Sequence, residues 1–322
     1  MESVRSTVPE RAAPNWPTWL IVNGRSRSGT LGYEAWAQRL DRVMNLVGSS
    51  LVRSLEEFQE TLSEADAHGV RRLLVGGGDG TISNAADALR HQPDTVLGVI
   101  PLGTGNTFFA GLGLPYDPER LIRALAQAPI AAVDIGEAVA RGESHIFLNS
   151  ASIGISSLLV QLLREGAKQR FGIWAWPIEV TRALRVAPQF TVTLTYPDGR
   201  ETYVTRQLVI ANGPTIAGRL RVQAEASNQD GLLEVFRLGG PSLGALLGTT
   251  WNLCRGELLR THHARFRLIR EVQVATNVPM PVDLDGDLWR STPVRCRVLP
   301  KALRVLVGEH APGAPTPNRS VS

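Results

Sequence analysis

A run of glycines that contains one acid and ends in a hydroxyl lies at residues 76–81 of this 322-residue chain. It follows the apolar residues Leu73–Val75 and consists of Gly76, Gly77, Gly78, Asp79, Gly80 and Thr81. Glycines can adopt positive φ and let a ligand approach the backbone, and successive N–H groups in such a turn bind anions. The run predicts a polyphosphate site, while a strand-to-helix turn that is rich in glycine for steric reasons alone is the alternative.

Asp79 favours phosphoryl transfer over passive nucleotide binding at this loop. A carboxylate beside bound phosphate is repelled unless it holds Mg²⁺ through water or accepts a proton from an attacking hydroxyl. The sequence leaves both of these roles open. Thr81 occupies the position expected of a helix N-cap, and the dipole of the helix predicted after it would favour an anion at the same site.

Two further loops follow apolar strands and carry groups that can bind phosphate or ribose. The strand at 96–100 leads into the loop Pro101–Asn106, and the strand at 19–22 leads into the loop Asn23–Gly29. The carboxyl ends of parallel strands meet at one edge of a sheet, so the three loops predict ligand binding at that edge of an open α/β sheet.

These motifs resemble the diacylglycerol kinase catalytic-domain family, which also includes sphingosine and ceramide kinases and the bacterial lipid kinases. The matching motifs, in chain order, are Asn23-Gly24 with Gly29, Gly77–Thr81, Pro101–Asn106, Asp134 in Val133–Gly136, Asp230–Leu233, and Asp283–Asp287. Each motif alone is weak, but their order and approximate spacing match the family from about Leu20 to Val307.

The resemblance implies an ATP- and Mg²⁺-dependent kinase that transfers the γ-phosphoryl group to a lipid hydroxyl. Diacylglycerol is the default acceptor, and a sphingoid or other long-chain lipid is the second choice. The nucleotide-binding residues implied are Asn23, Gly24, Gly29, Ser54, Gly76, Gly77, Gly78, Gly80, Thr81, Gly103, Thr104 and Asn106. The catalytic residues implied are Asp79, Asp134 and Asp287, with Asp287 as general base. A structural Mg²⁺ would bind the Asp230 carboxylate and the backbone carbonyls of Ser227 and Leu232, unless Asp230 belongs to an ordinary Asp-Gly turn.

The chain departs from the family pattern at several positions. Asp287 stands where the family usually has Glu and is one methylene shorter, and it could instead be a turn acid beside Gly286. Thr107 stands where the family usually has Asp, and Gly218–Leu220 replaces a glycine-rich run. These departures bear on the general base, on Mg²⁺ coordination and on acceptor preference.

The chain length and the strand and helix patterns predict two domains. Strands alternate with helices up to about Asp134, which indicates an α/β nucleotide-binding domain with a parallel sheet at 18–134. Short β runs follow, so we expect a β-rich sandwich at 135–308 that binds the acceptor, with the active site in the cleft between the domains. Two helices are expected in the second domain, near 156–165 and 243–255. Residues 1–17 and 309–322 are expected to be a flexible lead and tail.

Composition agrees with a cytoplasmic protein, and the lipid substrate implied by the resemblance would bring it to the inner membrane face. The 34 Lys and Arg against 30 Asp and Glu give a net charge of +4, which is mild for a nucleic-acid binder, so no nucleic-acid partner is expected. Two cysteines fit a reducing compartment, and neither a signal peptide nor a membrane span is evident. No stable protein partner is implied, and a homodimer remains open. The aromatic and arginine residues at 170–185 could contact a membrane or pack in a core.

Two other functions remain open. A polyphosphate–ATP kinase of NAD has a similar Gly-Gly-Asp-Gly loop, but the turns at Asp230 and Asp287 favour a lipid kinase. A nucleotide-binding sensor without transfer activity would explain the shortened acid Asp287 and the presence of Thr107.

Overall fold

The computed structural model describes residues 10–26, 29–157, 189–213, 215–216, 220–221, 227–238 and 266–309. The chain divides into two compact units, of which the first comprises 1–133 and 301–322 and the second comprises 134–300. The segment 170–185, the predicted helix at 243–255 and all but the first two residues of the predicted helix at 156–165 lie outside the described residues. Within the described residues, no helix is both long and apolar enough to cross a membrane.

The first unit is an α/β domain built on parallel strands. Its strands are β1 (Thr18–Asn23), β2 (Leu46–Val52), β3 (Arg72–Gly77) and β4 (Val96–Pro101). Its helices are α1 (Gly29–Asp41), α2 (Leu55–Ala67), α3 (Asp79–Leu89), α4 (Thr107–Gly111) and α5 (Pro118–Gln127). The strands are parallel in the order β2-β1-β3-β4, which confirms the predicted parallel sheet.

Burial on both faces explains why the central strands are continuous apolar runs. Leu20, Ile21 and Val22 of β1 and Leu74 and Val75 of β3 are fully buried. Such strands need helices on both faces of the sheet. Because all four strands point the same way, the loops after β1, β3 and β4 leave the sheet at one edge, as the sequence predicts.

A buried arginine joins separate parts of the first unit. Arg72 donates from Nε to Thr18 Oγ1 at 2.9 Å and from Nη1 to the carbonyls of Leu125 and Ala126 at 3.0 and 3.1 Å. These two carbonyls belong to the last turn of α5, where helices leave carbonyls without intrahelical partners. Burial lowers the pKa of Arg72 to about 10, so its carbonyl and hydroxyl partners compensate only part of the desolvation.

The second unit is a β sandwich. Its strands are β5 (Ile130–Ala140, which begins in the first unit), β6 (Glu143–Phe147), β7 (Ser150–Gly154), β8 (Phe190–Tyr196), β9 (Gly199–Thr205), β10 (Gln207–Ala211), β11 (Thr215–Ile216), β12 (Leu220–Arg221), β13 (Leu233–Leu238), β14 (Phe266–Ile269), β15 (Glu271–Thr276), β16 (Pro281–Leu284), β17 (Asp287–Ser291) and β18 (Val294–Leu306, which ends in the first unit). One sheet has the order β14-β13-β10-β7-β16-β17, and the other contains β18-β15-β8-β9.

Alternate residues of the two sheets form one hydrophobic core. Val192 and Leu194 of β8, Leu208 and Ile210 of β10 and Val274 of β15 belong to the same buried cluster. The spacing of two along each strand is that of a sheet with one face on the core. The β-rich second domain predicted from the sequence is therefore confirmed.

Candidate active site

The glycine-rich loop connects the last residue of β3 to the first turn of α3. β3 ends at Gly77 and α3 begins at Asp79, so Gly78 is the N-cap residue, with φ −93° and ψ −179°. The expectation that Thr81 caps this helix is wrong, because the helix begins before it and the Thr81 N–H donates to Gly78 O at 3.0 Å. Thr81 Oγ1 instead accepts a hydrogen bond from Asn23 Nδ2 at 2.7 Å.

Close packing, rather than positive φ, explains Gly76 and Gly77 of this loop. Among the glycines of the described residues 29–157, those with positive φ are Gly69, Gly113, Gly142 and Gly154, and none of them belongs to this loop. A Cβ at Gly77 would lie 2.6 Å from Thr81 Cβ, and one at Gly76 would lie 2.9 Å from Leu102 Cδ1. A side chain at either position would therefore displace its neighbours.

The second loop packs directly against the first. A Cβ on Gly103 would overlap Gly78 Cα, and the Leu102 N–H donates to Gly77 O at 3.0 Å. Asn106, which has φ 49°, closes the second loop on itself, since its Oδ1 accepts from the Gly103 N–H at 3.0 Å and its Nδ2 donates to Gly103 O at 2.8 Å. Backbone thus faces backbone between the two loops, and a side chain does not fit at Gly103.

A hydrogen bond of the Asp79 side chain joins the start of α3 to the residues that follow the second loop. Its Oδ1 accepts a hydrogen bond from the Phe108 N–H at 3.2 Å. Burial raises the pKa of Asp79, and the N–H groups of residues 106–108 oppose that rise. The predicted catalytic acid therefore also has a structural contact, which the sequence did not reveal because the two segments are far apart in the chain.

Asn23 joins the third loop to the glycine-rich loop. Its backbone carbonyl accepts from the Ser26 N–H at 3.0 Å, and its Oδ1 accepts from the Arg25 N–H at 2.8 Å. Its Nδ2 holds Thr81, and a Cβ on Gly29 would overlap the Asn23 carbonyl oxygen. The structure thus brings Asn23, Gly29 and Thr81 together, as the motif spacing predicts.

Two other predicted nucleotide residues make structural contacts near the end of β2. The Gly24 N–H donates to Val52 O at 2.8 Å. Ser54 is the N-cap of α2, where its Oγ accepts from the Glu57 N–H at 3.1 Å, while Glu57 Oε2 accepts from the Arg53 N–H at 2.6 Å. Ser54 and Glu57 have the spacing of a capping box, but Glu57 binds the N–H of the residue before the N-cap and not that of Ser54 itself. A nucleotide contact by Ser54 stays a prediction.

In the second unit, Asp134 holds the turn that contains Asp230. Asp134 is buried, its Oδ2 accepts from the Gly231 N–H at 2.7 Å, and its own N–H donates to Asn228 O at 2.7 Å. Asp230 Oδ1 accepts from the Leu232 N–H at 2.9 Å. Partial burial and the charge of Asp134 raise the pKa of Asp230. Two predicted site acids therefore lie in one electrostatically coupled group.

Asp287 flanks the tight hairpin between β16 and β17. Asp285 and Gly286 have φ 52° and 94°, as a two-residue hairpin loop with both central residues left-handed requires, and Leu284 pairs with Asp287. The Asp285 carboxylate accepts from the N–H groups of residues 148, 149 and 150 at 2.6, 2.8 and 2.9 Å. The hairpin is thus anchored by Asp285, while Asp287 is exposed.

Comparison with known proteins identifies the family. The diacylglycerol kinase catalytic domain matches residues 17–138, and the YegS C-terminal NAD kinase beta sandwich-like domain matches residues 149–307. A probable lipid kinase YegS-like from Pseudomonas syringae pv. syringae is 30% identical over 82% of this chain and 85% of that protein. The chain belongs to the diacylglycerol kinase family. A probable lipid kinase YegS-like from Chromohalobacter salexigens is 30% identical over 68% of this chain and 70% of that protein.

Solved structures show the same fold as this diacylglycerol kinase family member. A crystal structure of a diacylglycerol kinase from Bacillus anthracis str. Sterne matches with a TM-score of 0.69 and 18% identity, over 92% of this chain and 98% of that chain. The family, the enzyme class and the two-domain fold class predicted from the sequence are confirmed.

The turn at Asp230 has the donor chemistry that Mg²⁺ prefers. Among the described residues, no group of three or more His, Cys, Asp or Glu side chains is arranged to hold a metal. A carboxylate with the carbonyls of Ser227 and Leu232 is a set of hard oxygen donors in one turn. Burial, and then the charge of Asp230, raise the pKa of the nearby Glu234 to about 7. A cation would relieve this crowding of negative charge, so the residues fit the ion.

Loss of the Asp230 carboxylate is expected to remove Mg²⁺-dependent stability. A ligand that binds only the folded state stabilises it by mass action, by about 2–3 kcal/mol at a hundred times its Kd. Asp230→Ala should therefore lose more thermal stability in Mg²⁺ than in chelator. Asp198→Ala, which removes a turn acid elsewhere in the same unit, should lose the same amount in both. Equal losses in both conditions for Asp230→Ala would leave Asp230 as an ordinary turn residue.

Three polar residues of the second unit that lie near these turns have no role predicted from the sequence. Asn212 and Glu234 are buried, and Asp285 binds three N–H groups. The signal at Asn212 is an Asn-Gly pair at the end of an apolar strand, and the signal at Glu234 is a lone acid between the apolar residues Leu233 and Val235.

Proposed function

We propose that this protein transfers the γ-phosphoryl group of ATP to a lipid hydroxyl at the inner membrane face, in a Mg²⁺-dependent reaction with diacylglycerol as the default acceptor. The observation that carries the proposal is the backbone contact between the loops at Gly78 and Gly103, with Asp79 beside it. The names of the relatives as lipid kinases support the acceptor class.

The first unit supplies the groups that bind the nucleotide. Backbone N–H groups of the two glycine loops and the N-terminus of α3 can receive phosphate oxygens, because no side chain occupies the contact. Mg²⁺ bound with the nucleotide would neutralise phosphate charge during transfer. Asp79 either orients that ion through water or accepts the proton of the attacking hydroxyl, and its contact with Phe108 holds it in place for either role.

The second unit supplies the proposed general base, Asp287. An exposed carboxylate at the end of an anchored hairpin is held by its backbone and can accept a proton from the lipid hydroxyl. Asp230, with the carbonyls of Ser227 and Leu232, would hold the structural ion, and Asp134, which the resemblance makes catalytic, binds the N–H of Gly231 in the same turn.

Incubation of the protein with ATP and Mg²⁺ and each of three acceptors tests the function. The acceptors are a total lipid extract, NAD, and none. We expect phosphate in the lipid fraction only. Phosphorylated NAD would instead establish the NAD kinase alternative, and ATP binding without transfer to any acceptor would establish the sensor.

Substitution of Asp287 separates a base from a turn residue. We expect Asp287→Asn to lower kcat by about a hundredfold or more, with little change in the KM for ATP, because proton abstraction occurs in the transition state. Asp287→Glu should keep measurable activity, since it restores the acid usual in the family. Asp198→Asn, an exposed turn acid of the same unit, should behave like the parent. If Asp287→Asn is as fast as the parent, the base lies elsewhere and Asp79 becomes the leading candidate.

A further inference from the structure

Asn212 lies where the acid-bearing segments of the second unit meet. Its side chain is 1% exposed. Its Nδ2 donates to Asp134 O at 2.9 Å and to Leu148 O at 3.1 Å, and its backbone N–H donates to Asn149 O at 2.8 Å. One residue therefore binds both the segment at Asp134 and the segment at 148–149.

The segment at Asp134 controls the turn of Asp230. Asp134 accepts from the Gly231 N–H through its side chain and donates to the Asn228 carbonyl through its backbone. These two hydrogen bonds lie on either side of Asp230. A displacement of the Asp134 backbone therefore displaces the whole turn.

The segment at 148–150 controls the hairpin of Asp287. Its three N–H groups bind the Asp285 carboxylate, and Ser150 O accepts from the Asp285 N–H at 3.0 Å. Asp287 follows Asp285 in the same tight turn. The hairpin position therefore depends on where this segment lies.

We propose that Asn212 is a positioning residue of the phosphoryl-transfer reaction, whose amide holds the Asp230 turn and the Asp287 hairpin in fixed relation to each other. The inference rests on the proposed function. Asn212 contacts neither acid directly and acts through backbone carbonyls on both sides.

An amide is suited to this role because one nitrogen carries two N–H donors and can bind two carbonyls. The orientation of the amide is determined by these contacts, since a flipped amide would place Oδ1 against two carbonyl oxygens. The Asn212 amide therefore joins the two segments through Nδ2, while its buried Oδ1 accepts no hydrogen bond from the described residues.

Asn212→Ala leaves the buried carbonyls of Asp134 and Leu148 without these donors. The loss of such hydrogen bonds corresponds to about a tenfold increase in the equilibrium constant for local opening. A misplacement of about 1 Å at a catalytic group can cost about a hundredfold in rate. We therefore expect a fall in kcat with a nearly unchanged KM for ATP, because the nucleotide groups lie in the first unit.

A matched control exists at the other end of β10. Gln207 is also buried, and its Nε2 donates to Ser156 Oγ at 2.7 Å and to Leu208 O at 3.2 Å. None of these residues belongs to the turn of Asp230 or the hairpin of Asp287. Gln207→Ala therefore removes a buried amide of the same strand without breaking the proposed link.

Amide hydrogen exchange and steady-state kinetics of the full chain test the proposal together. In Asn212→Ala, exchange should be about tenfold faster both at 228–232 and at 148–150, and kcat should fall about a hundredfold. Gln207→Ala should change neither region and should keep most of its activity. Faster exchange in only one region or in neither, or a kcat no lower than that of Gln207→Ala, overturns the proposal.

Two further outcomes are separable. If Asn212→Ala does not fold, Asn212→Ser, which keeps one donor, should show the same pattern at smaller amplitude, and exchange like that of the parent overturns the proposal. If the parent phosphorylates no lipid, the proposed function fails and with it the role in the reaction. The exchange rates, which need no turnover, then decide whether Asn212 links the two turns.

Discussion

Replacement of Asp79 by asparagine is expected to lower phosphoryl transfer by about 100- to 10,000-fold while the protein stays folded. Asparagine keeps an oxygen that can accept from the Phe108 N–H, so the contact between the two loops survives. It cannot take the proton of an attacking hydroxyl, and it binds Mg²⁺ without a charge. The measurement is kcat at saturating ATP, with thermal melting of the same preparation.

Asp87→Asn is the matched control for this substitution. Asp87 lies on the same helix α3, is 47% exposed and pairs with Arg90 at 2.9 Å on the surface. It should retain the rate of the parent. If Asp79→Asn also retains that rate and melts like the parent, the assignment of Asp79 to the reaction is refuted.

Gly103→Ala is expected to weaken ATP binding by at least about tenfold, which corresponds to 1.4 kcal/mol. The new methyl group would overlap the Gly78 Cα, and a backbone atom cannot rotate away, so the two loops must separate. Gly78→Ala should be milder, because its Cβ would lie 3.3 Å from Gly103 Cα. Isothermal titration with ATP in both variants measures the effect.

Gly32→Ala serves as the control for the glycine substitutions. Its Cβ would lie 3.4 Å from Trp36 Cδ1, which is an ordinary contact on α1. ATP affinity should match that of the parent. Unchanged affinity in Gly103→Ala would show that phosphate binds away from the contact between the loops.

The secondary structure of the first unit was predictable because local patterns decide it. Buried strands such as β1 and β3 are continuous apolar runs, and strands alternate with helices up to about Asp134 as the sequence pattern predicts. The prediction that Thr81 is the N-cap was wrong because a tertiary contact determines the role of its hydroxyl. Its hydroxyl accepts from Asn23, which lies 58 positions away, and this partner cannot be read from neighbouring residues.

Only those parts of the site that contain short sequence motifs could be predicted. The loops at Gly78 and Gly103 and the turns at Asp230 and Asp287 follow from short patterns, but the contacts that hold them do not. Asn212 acts through carbonyls 64 and 78 positions away. The capping role of Ser54, in contrast, could have been predicted from the sequence, because Ser54 and Glu57 have the spacing of a capping box.

The destination of the γ-phosphate shows whether this protein is a lipid kinase. The protein is incubated with vesicles that contain diacylglycerol, with Mg²⁺, and with ATP labelled at either the γ- or the α-phosphate, and label is counted in the organic phase. The expected result is that γ-label enters the lipid in proportion to the amount of protein and that α-label does not. Absence of γ-label from the lipid, in a preparation that binds ATP, would contradict it.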